Sequence, residues 1–141
     1  MEWRDEAFVL AARRHGESDI ILSLLTREHG RHAGLVKGGG GRRSAGVYEI
    51  GNRLRAQWRG RLVEQLGHYA CEIQSQPAAR LLDEPLRLAA LVAAAAVAEA
   101  SFGMFLSPSS IRWCGYQVDL IDAAASTRQP SKSVILSGAP R

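Results

Sequence analysis

Cysteine is nearly missing from this chain: Cys71 and Cys114 are the only two, and neither has a second cysteine near it. That excludes a Cys-x-x-Cys redox couple or zinc knuckle and suits a reduced compartment. The N-terminus, Met1-Glu2-Trp3-Arg4-Asp5-Glu6, lacks an apolar signal core, and the longest apolar run, residues 88–98, is too short to span a bilayer. A cytoplasmic chain with no membrane contact is the expectation. Enzymatic signatures are equally scarce. No Gly-Lys-Ser/Thr or dinucleotide fingerprint is present, Ser18 and Ser23 have no nucleophile context, and Asp5, Glu17, Asp19 and Glu28 show no paired spacing. His29 and His32 have no third ligand near them in sequence, so they read as solvated turn residues. The sequence therefore predicts no catalysis, no cofactor and no metal. Lysine is rare too, two against sixteen arginines; arginine's planar fork suits phosphate, although a GC-rich genome also yields this ratio.

What the chain does contain is a globular composition, 46% apolar and 23% charged, with a net charge of +4. Its first half reads as short strands between glycine-bearing turns. Residues 7–12 lead into the turn Arg14-His15-Gly16-Glu17-Ser18, and residues 20–26 follow. Glu28-His29-Gly30-Arg31 then reverses the chain into residues 32–37, which makes a hairpin. A fourth strand at 52–59 and a fifth at 62–73 meet at Gly60. Five short strands in so few residues predict a mainly β fold with some α, a five-stranded OB-fold barrel followed by a partial helical segment.

The fourth strand alternates cleanly. Arg53, Arg55, Gln57, Arg59 and Arg61 share one parity, and Leu54, Ala56 and Trp58 the other. Cations two apart on a strand stand about 6.6 Å from one another, a spacing able to follow successive phosphates of an extended strand. A merely solvated outer face is the bland alternative. Between residues 31 and 61 the cations Arg31, Lys37, Arg42, Arg43, Arg53, Arg55, Arg59 and Arg61 face the single acid Glu49, a larger excess than the whole chain carries. Such concentration is the electrostatic footprint of phosphate binding. Four glycines, Gly38 to Gly41, separate Lys37 from Arg42 and Arg43 and suggest a mobile basic loop, or else a plain flexible connector. Stacking rings are few: Trp58 and Phe8 read as core, leaving Trp3, Tyr48 and Tyr69 as free candidates whose expected role is core or rim packing. The predicted binder is therefore electrostatic, with little sequence preference.

Past Pro77 the character changes. Residues 78–82 suggest a helical turn, and residues 86–100, rich in alanine and leucine with Arg87 and Glu99 as their only charges, predict a helix apolar nearly all round. Such a helix needs neighbours, and the remaining sequence offers few. Eight serines fall after residue 100 against four before it; residues 111–122 suggest one amphipathic element, and residues 126–133 a disordered tail. The expected organisation is a barrel at 1–76, the start of a helical domain at 77–106, and a divergent tail at 107–141.

The ordered series Trp3-Arg4-Asp5-Glu6, Arg14-His15-Gly16-Glu17-Ser18, Leu25 through His32, Gly34-Leu35-Val36-Lys37-Gly38, Gly51-Asn52, Trp58-Arg59-Gly60-Arg61-Leu62 and Leu66-Gly67 resembles the N-terminal domain of the RecO recombination mediators. The likeness covers roughly the first hundred residues. It implies an OB-fold that binds single- and double-stranded DNA, promotes annealing, and helps RecR load RecA onto strands coated by single-strand-binding protein, in a cytoplasmic, nucleoid-associated setting. Gly46-Val47-Tyr48-Glu49-Ile50 departs from the family pattern, and no zinc ligands of its helical domain carry over. The change of composition near residue 100 suggests a shifted frame or a truncated product. Two other readings compete: a protein-interaction subunit that docks an acidic peptide or partner, and a non-functional remnant.

Overall fold

Alternation of side chains along one long strand organises the molecule. In the computed structural model, which describes residues 1–62 and 65–101, β1 (Glu2–His15) is followed by β2 (Asp19–Thr26), β3 (Gly30–Val36), β4 (Arg53–Arg59) and β5 (Gly67–Ser75). Two helices follow, α1 (Pro77–Arg80) and α2 (Pro85–Ser101). The strands close into a barrel in the order β1-β2-β3-β5-β4, the five-stranded arrangement expected for an OB-fold. Strand β1 serves two neighbours: Glu2 to Phe8 pair with β4, and Ala7 to His15 pair with β2. Ala7 and Phe8 pair with both neighbours, and the register with β2 shifts between Val9 and Ala11, as at a β-bulge.

The barrel closes along a short parallel seam, Gly34 opposite Gly67 and Leu35 opposite His68. Both seam glycines exist for close approach. A Cβ on Gly34 would lie 2.5 Å from the Tyr69 ring, and one on Gly67 2.5 Å from the Trp58 indole. Inside the wall, Ala7, Val9, Ile20, Leu22, Leu24, Val36, Leu54, Ala56, Trp58 and Tyr69 form one core. The expectation that Trp58 is a core residue holds, since the ring has no exposed surface.

A second core lies outside the wall. Phe8, Leu10 and Leu25 take the outward parity and pack against Ala78 of α1, Leu81 at its end, and Leu91, Ala95 and Ala98 of α2. The alanine-rich helix thus finds its neighbour in the barrel itself, where the remaining sequence offered few obvious partners. Glu99 fastens it: Ser23 Oγ donates to its carboxylate at 2.6 Å and Arg31 Nη1 at 3.1 Å. The opposite side of α2 exposes Leu86, Val92 and Val97.

Several sequence boundaries shift: β1 runs on to His15, where a turn was expected, and β3 begins at Gly30 rather than at residue 32. β1 begins at Glu2 rather than at residue 7, because pairing with β4 draws a polar segment into the ladder. β5 begins only at Gly67, so Arg61 and Leu62 belong to the connection before it and not to strand. The element expected at 111–122 and the tail at 107–141 lie outside the described residues. No helix among the described residues is long and apolar enough to cross a membrane. Trp58→Ala is expected to cost about 3–5 kcal/mol of stability, as for other large buried rings, measured by urea unfolding at neutral pH.

Candidate nucleic-acid interface

The outward row of β4 is less basic in space than in sequence. Register places Glu2 opposite Arg59, Arg4 opposite Gln57 and Glu6 opposite Arg55 on β1, and Glu72 of β5 opposite Arg55 on the other side. Arg53 Nη2 lies 2.5 Å from Glu6, and Arg59 reaches Glu2 through both Nε and Nη2, the latter at 3.0 Å. Gln57 Nε2 also donates to Glu2. The Arg59 and Gln57 hydrogen bonds hold the Glu2 carboxyl below the usual carboxylate range, and the Arg53 hydrogen bond does the same for Glu6. The row is therefore part of a lattice of alternating charge. Arg55 and Arg4 stand exposed between these pairs, where Arg4 also helps lower Glu2 and Arg55 helps lower Glu6, and they line a depression of about 340 Å³ with Gln57, Ala70, Cys71 and Glu72.

The other candidates divide. Arg31 is half-buried and held by Glu99. Arg61 is exposed in the β4–β5 connection, off the β4 row. Lys37, Arg42 and Arg43 are exposed in the β3–β4 connection, and no carboxylate among the described residues pairs with them. That connection is pinned where the four glycines suggested mobility. Gly40 N donates to Ser18 O at 2.8 Å, Gly38 N to the Asp19 carboxylate at 2.8 Å, and a Cβ at Gly39 would lie 2.7 Å from Ile20. At its far end, the buried Asn52 side chain donates to Gly46 O and Val47 O.

This docking builds a cationic end of the barrel. Arg14, Ile20 and Val36 lie side by side across β1, β2 and β3, so the chain leaving Val36 runs beside the β1–β2 turn. Arg13, Arg14 and His15, all exposed, therefore share this end with Lys37, Arg42 and Arg43. Two acids stand at the same end, the exposed Glu17 and Asp19, the latter held by the Gly38 N–H and the Ser18 hydroxyl, and the cations outnumber them. Arg13 and Arg14 were not among the sequence candidates. The signal was an Arg-Arg-His run entering a glycine turn, but it lies outside the basic window, and only strand pairing unites the two.

Aromatic side chains scattered along the sequence gather at the opposite end of β2. Trp3 stacks on His29 with ring centroids 4.1 Å apart and planes 9° from parallel, and Trp58 lies beyond Trp3 at 5.8 Å and 18°. His32 meets Trp3 and Trp58 edge-on, and its Nδ1 lies 2.9 Å from the Tyr69 hydroxyl. Neither histidine is the solvated turn residue expected: His29 Nδ1 lies 3.2 Å from the Asp5 carboxylate, and both rings are half-buried. Tyr69 is buried, which raises its phenol pKa, and Tyr48 is half-buried with a shift in the same direction for the same cause. Burial pushes the Cys71 thiol up to about 12, so its reactive thiolate is suppressed at neutral pH. No group of three or more His, Cys, Asp or Glu side chains able to hold a metal forms among the described residues.

Protonation gives the ion-pair lattice a testable signature. Because the folded pKa values of Glu2 and Glu6 lie below their ordinary value of 4.5, their stabilising contribution is present above that pH and is lost as pH falls through the folded values. Denaturant unfolding across this acid range should show a shallower loss of stability in a Glu2→Gln/Glu6→Gln variant than in the parent chain.

Comparison with known proteins agrees with this architecture. The family model described as "Recombination protein O N terminal" matches residues 1–73. A protein of Rhodospirillum centenum named "DNA repair protein RecO" is 56% identical over 101 residues, 72% of this chain and 40% of that protein. Proteins of the same name from Methylobacterium nodulans and Rhodospirillum rubrum are 53% identical over 97 residues and 48% identical over 99. Those matches cover 69% and 70% of this chain and 39% of each relative. The matched stretch thus spans about two fifths of the length of these curated relatives.

Proposed function

The chain belongs to the recombination protein O family, and from that premise we propose that its barrel is a non-catalytic DNA-binding and annealing module serving DNA repair and recombination. The observation that carries the proposal is the cationic end. Arg13, Arg14, Lys37, Arg42 and Arg43 are exposed there, on backbone pinned by hydrogen bonds, with no carboxylate partner among the described residues. Cations fixed in place and free of internal carboxylates can trade condensed counterions for phosphate contacts at little ordering cost. Arg55 and Arg61 add exposed charge elsewhere on the surface. Arg31, Arg53 and Arg59 would have to exchange Glu99, Glu6 and Glu2 for phosphate, so their net contribution is smaller.

Single- and double-stranded DNA are the proposed ligands, and RecR and single-strand-binding protein the proposed protein partners, in a cytoplasmic, nucleoid-associated setting. Phosphate contacts carry no base information, so affinity should vary little with sequence. The competing reading, a subunit docking an acidic peptide, shares the charge but not the dependence on polymer length.

Anisotropy titrations with end-labelled single strands of increasing length, at about 50 and 200 mM salt, test the proposal. Affinity should rise with length and fall steeply with salt. A Lys37→Ala/Arg42→Ala/Arg43→Ala variant should lose affinity alike across sequences, and its logarithmic salt slope should shrink by about 2 if three phosphate contacts are lost. An Arg53→Ala/Arg55→Ala/Arg59→Ala variant should lose less. Undiminished low-salt binding by the first variant would overturn the assignment of the cationic end.

A further inference from the structure

The column of rings at the other end of β2 ends on a partly exposed imidazole. Trp58 is fully buried, Trp3 lies half-buried upon it, and His29 caps Trp3 in a nearly parallel plane. The His29 side chain is 32% exposed, and no ring other than Trp3 stacks on it among the described residues. We infer that His29, backed by Trp3 and Trp58, is a stacking shelf for one unpaired nucleobase, and that it gives the barrel a preference for single-stranded over duplex DNA. The inference rests on the DNA-binding proposal and adds to it a contact that is not electrostatic.

Three features make the shelf ready for a base. Its plane is fixed: the Asp5 carboxylate, with a side chain only 6% exposed, engages His29 Nδ1 and also accepts the backbone N–H groups of Glu6 and Glu28. The turn that carries it is laced together, for the His29 N–H donates to Thr26 Oγ1, whose hydroxyl donates in turn to Gly30 O at 2.7 Å. A ring held this way loses little freedom when a base arrives, so most of the stacking energy is retained. The column behind it is also anchored in the barrel core, which keeps the shelf from tilting under load.

The placement accounts for a preference between polymers. Bases inside a duplex have both faces covered by their neighbours, whereas a single strand can turn one base onto a ring. Strand β2, eight residues long, separates the shelf from the cationic end by about 25 Å. A single strand can lie along that distance with its phosphates at one end and one base at the other. The cations of the far end read phosphate; the shelf reads the presence of a base, whatever its identity.

The test compares two end-labelled single strands of about 16 nucleotides, an upper site size for an OB-fold, one with all its bases and one built from abasic sites. The phosphate number is the same in both. The parent chain should bind the base-bearing strand more tightly, by about 5- to 150-fold if one base stacks. His29→Ala should remove most of that difference while leaving the abasic affinity unchanged, and His29→Phe, which restores a ring, should recover it. Equal binding of the two strands by the parent chain would overturn the shelf and leave the DNA-binding proposal standing. Binding of neither strand would mean that the DNA-binding proposal itself fails. Should His29→Ala lower both affinities alike, the residue acts through turn structure and the shelf is likewise rejected.

Discussion

Burial of β1 on both of its faces is the constraint from which the rest of the molecule follows. Ala7 and Val9 fill the barrel, while Phe8 and Leu10 on the opposite parity seat the alanine-rich helix α2. A strand apolar on both sides cannot border water, so it must have a wall inside and a cover outside. The same strand pairs with β4 from Glu2 to Phe8 and with β2 from Ala7 to His15, and the irregularity near Leu10 falls within the β2 pairing. Closure, helix docking and the position of the N-terminal aromatic Trp3 all depend on this one segment.

Charge is sorted by that architecture rather than by composition. Where β1 runs beside β4, its outward acids Glu2 and Glu6 meet the outward arginines and cancel much of their field. Where β1 runs beside β2, its last residues carry Arg13 and Arg14 to an end of the barrel where the nearby Asp19 is occupied by backbone and hydroxyl donors. Exposed ion pairs add little stability, but they remove cations from the set that can meet phosphate cheaply. The two ends of β2 accordingly differ in chemistry: fixed cations at one, a fixed column of rings at the other.

Glu99 illustrates how strongly neighbours decide a residue's role. It is one of two charges in an otherwise apolar helical segment, and its carboxylate clamps β2 through Ser23 and β3 through Arg31. Arg31, a phosphate candidate by its place in the basic window, helps hold α2 against the barrel through this pair.

Much of this was legible in the residues alone. The alternation of Leu54, Ala56 and Trp58 with arginines, and the glycine turns at Gly16 and Gly30, determined five strands and an inward tryptophan, because strand periodicity and turn conformation are local properties. The family resemblance was likewise carried by an ordered series of local motifs, and the match over residues 1–73 agrees with it. Which cations stay free, which arginines meet carboxylates, and how Trp3, His29, His32, Trp58 and Tyr69 come to share one end of the barrel were decided only by tertiary structure. Those contacts join residues up to 68 positions apart, and a sequence read along its own length contains no term for the register that brings them face to face.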